Sequence, residues 1–162
     1  MSEPTNHHWP VADLDPVRRL RALAAGIPGA VVVEDVIPAS FEAVWDIASD
    51  LENEVPRSEW HVRSLRITHQ EGDRLEALVY GLVGVHDRFA IVLRPGWCWM
   101  QGRLLLAGMA ATPVENGTLF AFATGLRVPG SGVLRPVLRR AADRSLRRLA
   151  QRVDATTGEG TR

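Results

Sequence analysis

The order of secondary-structure signals along the chain constrains the fold more than any single motif does. The run VVVEDVI (31–37) is typical of a β-strand, and it breaks at a proline before a predicted helix over residues 40–50. A short acidic turn follows that helix. Residues 61–127 then alternate strand-like runs with turns, and an Arg-rich amphipathic helix is predicted over residues 133–154. Few small folds combine one strand, short helices, a long meander and one long final helix in this order.

The meander divides into six strands, each bounded by turn residues. The clearest turn signal is Asn116-Gly117, because Asn-Gly is the strongest short-range hairpin signal. The predicted strands after the first one cover residues 61–69, 75–81, 85–93, 97–105, 109–115 and 118–127.

The chain has the length of one domain, at 162 residues. Asp15-Pro16 starts a helix, with Asp as the cap and Pro at the first helical position, so residues 15–26 are predicted to be an appended helix. The main domain is expected over residues 30–154. Residues 1–14 and 155–162 are polar and are expected to be disordered.

Composition excludes several classes of function. The formal net charge is zero, which argues against a nucleic-acid partner. All 19 basic residues are arginine, so no lysine can form a Schiff base, and the single Cys98 excludes an internal disulfide. No apolar run reaches the length of a membrane span. We therefore expect a cytoplasmic protein without membrane insertion, without a metal site and without a cofactor.

Two segments and the final helix together carry a resemblance to a known family. The segments are PASFEAVWDIASDLEN (38–53) and TPVENGTLFAFA (112–123). With the Arg- and Leu-rich final helix, they make residues 30–153 resemble the START/birch-pollen-allergen-like (SRPBCC) superfamily of polyketide cyclase/dehydrase and lipid-transport proteins. The chain departs from the family pattern at Glu54-Val55, where an aromatic residue is usual, and in its N-terminal helix.

The resemblance implies an α+β helix-grip fold. In that fold a curved antiparallel sheet of about seven strands wraps around the long C-terminal helix, and the inner faces of both enclose a cavity. Members include cyclases, dehydratases, hydrolases, lipid carriers and hormone receptors, so the fold alone does not determine the function.

Strand alternation suggests which polar groups could reach such a cavity. Asp87 shares a face with Phe89 and could serve there as a general acid or base. On the strand over residues 75–81, Tyr80 would be a proton donor if it faced inward, although the opposite face of that strand is wholly apolar and the better cavity wall. The catalytic candidates are Asp87, Tyr80 and Arg103.

The strand from residue 97 has two faces that are both partly apolar, so its periodicity leaves two arrangements open. Trp97, Trp99, Gln101 and Arg103 occupy one face. If that face looks inward, two indoles and a guanidinium line the cavity and suit a planar oxygenated ligand. If it looks outward, the tryptophans form a dimer patch or the packing surface for the N-terminal helix.

The remaining ligand-contact candidates come from several elements. Trp60 is expected near the cavity mouth and His69 at its rim, while the aromatic side of the last strand is expected to face inward. The full set of candidates is Trp60, His69, Phe89, Trp97, Trp99, Gln101, Phe120, Phe122 and Leu138.

The sequence thus predicts a domain that binds a hydrophobic or aromatic small molecule in an internal cavity. One hypothesis is a polyketide cyclase/dehydrase-like enzyme, a lyase or isomerase, whose cavity would hold at least two convergent ionisable groups. A second is a non-catalytic lipid or small-molecule carrier or sensor with a dry apolar cavity. A third is a protein-interaction module with a filled interior. Whether the protein forms a homodimer is left open.

Overall fold

The computed structural model describes residues 14–59 and 61–159, with no account of the side chains of Val83 and Glu159. Four α-helices and seven strands, with two short 3-10 turns at Leu82–Gly84 and Ser131–Leu134, follow one another along this part of the chain. They are α1 (Pro16–Ala25), β1 (Val31–Ile37), α2 (Phe41–Ala48), α3 (Leu51–Ser58), β2 (Val62–Glu71), β3 (Arg74–Gly81), β4 (His86–Arg94), β5 (Trp97–Gln101), β6 (Leu105–Val114), β7 (Gly117–Leu126) and α4 (Arg135–Glu159).

The seven strands form one antiparallel sheet in the order β1-β7-β6-β5-β4-β3-β2. Each strand from β2 to β7 pairs with its neighbour in sequence, whereas β1 pairs with the last strand, from Val31 opposite Thr124 to Ile37 opposite Thr118. The helices α2, α3 and α4 pack on the concave face. The α+β helix-grip fold, with its curved sheet, long C-terminal helix and additional N-terminal helix, is therefore confirmed.

Local sequence explains where the first two helices begin. The Asp15 carboxylate accepts the Arg18 N–H at 3.0 Å and caps α1, and this bond lowers the pKa of Asp15. The Ser40 hydroxyl accepts the Ala43 N–H at 3.2 Å and caps α2.

The largest differences from the boundaries that the sequence predicts lie in three regions of the chain. The acidic turn after α2 is a helix, α3, which buries Leu51 and Glu54. The strand β5 ends at Gln101, because the Gly102 N–H donates to Leu105 O and closes a turn into β6. The helix α4 continues to Glu159, into the tail that was expected to be disordered. The predicted lead over residues 1–14 lies almost wholly outside the described residues.

The sheet separates two apolar layers. The larger layer lies between the concave face and α2, α3 and α4. The smaller one lies on the convex face under α1, where Leu20 packs beside Trp99. A Cβ on Gly108 would lie 2.7 Å from Leu20 Cδ1 and 2.8 Å from Trp99 Cε3. The glycine therefore allows Leu20 and Trp99 to pack directly against the backbone of β6. None of the helices described is long and apolar enough to cross a membrane.

Candidate ligand-binding cavity

A cavity of about 80 Å³ lies between the concave face of the sheet and the helices α3 and α4. We call it the inner chamber. It is several times larger than the space that one water molecule needs, and most of its wall is aliphatic, aromatic or thioether surface. The apolar lining residues include Val79, Phe89, Met100, Leu105, Ala107, Met109, Phe120, Phe122, Leu146 and Leu149.

A second space of about 270 Å³, the outer chamber, adjoins the inner one at the end of the sheet where β2 begins and β3 ends. Both chambers share a boundary formed by five residues, and the outer chamber adds polar groups from the start of β4 and from the β5–β6 connection. The shared residues are His61, Val62, Val79, Phe89 and Leu105. The two spaces are thus a chamber and its vestibule.

The polar groups of the inner chamber are concentrated on the wall formed by α3 and α4. Glu59, which follows α3, accepts a hydrogen bond from the Ser145 hydroxyl at 2.6 Å through Oε1. Its other oxygen, Oε2, lies 3.7 Å from Nδ1 of His61. A carboxylate, an imidazole and a hydroxyl therefore converge beside an apolar space, which is an arrangement capable of proton transfer.

Glu54 is the most deeply buried carboxylate of this wall, with 5% of its surface exposed. Its Oε2 lies 3.0 Å from Nε of Arg152, one turn further along α4 than the chamber lining, although the N–H is not aligned for a hydrogen bond. The Ser58 hydroxyl donates to Glu54 O at 2.9 Å. The Glu54–Arg152 pair links α3 to α4 and closes the chamber on that side.

Asp87 lies at the outer chamber, where both of its oxygens are used by the main chain. Oδ1 accepts the Arg88 N–H and Oδ2 accepts the Arg103 N–H, each at 2.9 Å. A Cβ on Gly102 would lie 2.6 Å from Asp87 Oδ2 and 2.8 Å from Phe89 Cζ. The glycine therefore lets the β5–β6 turn close against Asp87 and Phe89.

The structure brings together two of the three catalytic candidates. Asp87 and Arg103 line the outer chamber, and Asp87 shares the cavity face of β4 with Phe89 as its spacing predicts. Tyr80 lies on the opposite face of β3, 43% exposed and 6.0 Å from the ring of His86, and it lines neither chamber. The wholly apolar face of β3, with Leu75 and Ala77, is the one that turns inward.

The tryptophan face of β5 looks outward, which settles the two arrangements left open by the sequence. Trp97 is buried under α1, with the Arg19 guanidinium carbon 5.7 Å from its ring centroid, and Trp99 packs in the same layer. Gln101 follows on this face and is exposed. Neither tryptophan contacts the cavity, because Cys98 and Met100 occupy the inward positions.

The other ligand-contact candidates divide in the same way. Phe89, Phe120 and Phe122 line the inner chamber. His69 is exposed, because an irregularity in the β2–β3 register after Ile67 turns it to the outer face. Leu138 packs against the concave core without lining either chamber. Trp60 lies outside the described residues.

Six polar lining residues were not among the candidates: Glu54, Ser58, Glu59, His61, Thr124 and Ser145. Signals in the sequence point to two of them. Glu54 stands where the resembling family usually has an aromatic residue, and Ser145 interrupts the apolar face of the final helix. Hydroxyl and carboxylate groups on helix faces that must be buried usually have partners there.

Cys98 offers no nucleophile to the cavity. It is fully buried between Leu93 and Met109 in neighbouring strands, and burial raises the pKa of its thiol to about 12. Among the residues described, no group of three His, Cys, Asp or Glu side chains could hold a metal ion.

No known family model matches the chain, and no curated protein matches it. Solved structures do match. A START superfamily protein from Mycobacterium smegmatis is 19% identical, with 78% of this chain and 98% of that one covered and a TM-score of 0.57. The chain has the START-type fold.

Two aromatase/cyclases share this fold. The Zhui aromatase/cyclase from Streptomyces sp. R1128 is 12% identical over 77% of this chain and 93% of its own, with a TM-score of 0.58. The di-domain ARO/CYC StfQ from the steffimycin biosynthetic pathway is 12% identical over 88% of this chain and 56% of its own, with a TM-score of 0.66. At these identities the likeness is one of fold.

Proposed function

We propose that the protein binds one small hydrophobic or aromatic molecule in the inner chamber, with a polar group of that molecule directed at Glu59 and His61. The distribution of polarity carries this proposal. The sheet contributes mainly apolar walls, whereas the carboxylate, imidazole and hydroxyl groups lie together on the helical wall. A ligand with an apolar body and one hydrogen-bonding end is complementary to both.

Among the chemistries open to such a cavity, we favour proton transfer of the cyclase or dehydratase type. The His61 imidazole can take a proton from a bound molecule or return one, and the neighbouring Glu59 carboxylate, 3.7 Å away, counters the charge that forms. The apolar walls restrict the conformations of a flexible substrate and so favour ring closure. Two solved structures that share the fold are named aromatase/cyclases, which is consistent with this choice.

A non-catalytic carrier or sensor is the second candidate, and one observation favours it. Each carboxylate that lines the two chambers already has a structural partner: Glu59 is held by Ser145, Glu54 lies beside Arg152, and Asp87 accepts two main-chain N–H groups. In a carrier, these bonds would shape the cavity and leave the ligand unchanged.

Native mass spectrometry of freshly purified protein tests binding, with two leucine variants as a matched pair. Ala107→Leu fills part of the inner chamber, whereas Ala90→Leu makes the same change at an exposed position of β4. We expect a bound small molecule in the wild type and in Ala90→Leu, and at least a roughly tenfold lower occupancy in folded Ala107→Leu. A wild-type protein that neither carries a molecule nor binds the apolar dye anilinonaphthalene sulfonate would contradict the proposal.

The mass of the bound molecule distinguishes the enzyme from the carrier. Glu59→Gln and His61→Gln proteins are purified from the same cells as the wild type, and their bound molecules are released and weighed. If the pair catalyses a dehydration, the variants hold a species heavier than the wild-type product by the mass of a water molecule. A cyclisation without loss of water conserves mass and would instead change the fragmentation spectrum and retention time of the bound molecule. Identical masses, fragmentation spectra and retention times in all three proteins would support the carrier.

A further inference from the structure

Exposed aliphatic side chains are concentrated at the end of the molecule where the outer chamber opens. They come from the β3–β4 connection, the β5–β6 turn and the segment that leads from β7 into α4. We call this surface the mouth rim; its aliphatic members are Leu82, Val85, Leu104, Val128, Val133, Leu134 and Val137.

Contacts along the main chain make the mouth rim one continuous surface. Val85 and Leu104 both line the outer chamber. The Arg127 N–H donates to Leu104 O at 2.7 Å, which brings the end of β7 against the β5–β6 turn. The Ser131 N–H then donates to Val128 O at 3.2 Å and starts the turn that leads into α4. The rim therefore borders the entrance to the cavity.

The turn that leads into α4 and the first turn of α4 present the most exposed part of the rim. Val133, in the 3-10 turn Ser131–Leu134, is 82% exposed, and Val137, in the first turn of α4, is 61% exposed. Two β-branched side chains held this far into solvent have no packing role within the described residues. They are available to an apolar partner.

The charge of this end is positive. Six arginines lie on the rim or next to it, and none of them forms an ion pair with a carboxylate in residues 14–59 or 61–159. Neither residues 88–114 nor residues 116–142 contain an Asp or Glu. Two acids lie close to these arginines in sequence: Asp87 is committed to main-chain N–H groups, and Asp143, four residues after Arg139 in α4, forms no ion pair with any of these arginines in the described part of the chain. The arginines are Arg88, Arg103, Arg127, Arg135, Arg139 and Arg140.

We propose that the mouth rim docks on the surface of a bilayer that contains anionic phospholipids. Aliphatic side chains interleaved with arginines suit the boundary between headgroups and acyl chains. Each arginine near such a surface strengthens the electrostatic attraction to the anionic headgroups. A second copy of the chain is a poorer occupant, because a two-fold interface would set this arginine patch against itself. Docking here would let an apolar ligand pass between the bilayer and the outer chamber without crossing water.

Flotation with lipid vesicles tests the proposal on the full chain. One set of vesicles is phosphatidylcholine, and the other is phosphatidylcholine mixed with phosphatidylglycerol. We expect binding to the mixed vesicles, weakened by salt, and at least a roughly tenfold lower affinity for phosphatidylcholine alone. The double variant Arg135→Gln/Arg139→Gln should lose roughly fivefold per arginine. Arg66→Gln/Arg74→Gln, at exposed positions of β2 and β3 away from the mouth rim, should bind as the wild type does.

A second pair of variants tests the aliphatic part of the rim. Val133→Ser/Val137→Ser should weaken vesicle binding, and Val36→Ser/Val114→Ser, which changes exposed valines at the opposite end of the sheet, should not. Equal loss in both pairs, or equal binding to both kinds of vesicle, would overturn the proposal. A lipid-free dimer dispersed by Val133→Ser/Val137→Ser would identify a second copy as the occupant instead. Binding to soluble polyglutamate and to neither vesicle would indicate an acidic protein partner.

Discussion

The Ser145 hydroxyl donates to Oε1 of Glu59 at 2.6 Å and joins the middle of α4 to the residue that follows α3. Glu59 is held a second time through its own N–H, which donates to Val55 O at 2.9 Å. The carboxylate is therefore fixed from both helices, with Oε2 left to face His61. The helix that the sheet grips also sets the geometry of the proposed acid–base pair.

Ser145→Ala should lower the free energy of unfolding by about 1 kcal/mol, because Glu59 loses a hydrogen-bond donor in a part-buried site. The higher helix propensity of alanine offsets a small part of this loss. Urea denaturation measures the change. Ser64→Ala, at an exposed position of β2, is the control and should change the free energy by less than about 0.5 kcal/mol. Equal effects in both variants would show that the Ser145–Glu59 bond contributes nothing to stability.

The helix α1 should contribute to stability without affecting ligand binding. Leu20 is fully buried between α1 and the sheet, whereas Leu23 of the same helix is 41% exposed. Leu20→Ala should cost about 2–5 kcal/mol and Leu23→Ala less than about 1 kcal/mol in thermal or chemical unfolding. Below the melting transition, both variants should bind anilinonaphthalene sulfonate as the wild type does, since the cavity lies across the sheet. Loss of dye binding in folded Leu20→Ala would mean that α1 shapes the cavity.

The fold could be predicted because each element carries its own local signal. Ser40 marks the start of α2, Asn116-Gly117 marks the last hairpin, and the apolar face of the final helix marks all but its last turn. Which face of the sheet looks toward the cavity could not be predicted in the same way. Both sides of β5 are buried, Cys98 in the concave core and Trp97 under α1, so alternation between apolar and polar residues was absent.

The polar side of the cavity was harder to predict because it depends on long-range packing. Glu59 and Ser145 are far apart in sequence and meet only because α3 and α4 lie together. The segment that forms α3 contains Pro56, which favoured a turn, yet burial of Leu51 against the core holds it as a helix. His69 illustrates the opposite error: strict alternation along β2 predicts it at the rim, and one register irregularity exposes it.

Cys98 should make stability depend on pH in the alkaline range. Its pKa rises from 9.0 to about 12 on folding, because the buried thiolate would be desolvated. Between these values the unfolded chain releases the proton and the folded chain keeps it, so stability falls as pH rises. From about pH 8 to about pH 10, the wild type should lose roughly 1 kcal/mol more than Cys98→Ala does. Denaturant titrations at both pH values measure the difference; parallel losses in the two proteins would contradict it.

Glu54 and Arg152 should show strong coupling in a double-mutant cycle. Arg152→Met leaves a carboxylate that is only 5% exposed without its cation, and it should cost about 1–3 kcal/mol, reduced from the value for a fully buried pair because Arg152 is partly exposed. Glu54→Leu/Arg152→Met replaces both charges with apolar groups and should recover most of that loss.

Chemical denaturation of the wild type, the two single variants and the double variant gives the coupling energy. Arg66→Met, at an exposed position of β2, controls for the loss of one arginine and should have little effect. A double variant less stable than Arg152→Met would contradict this prediction. It would show that Glu54 stabilises the protein by a contact other than the one with Arg152, namely its hydrogen bond with the Ser58 hydroxyl. Recovery in the double variant would show that the ion pair holds α3 to α4 without being required for the fold, which leaves this wall free to vary with the ligand.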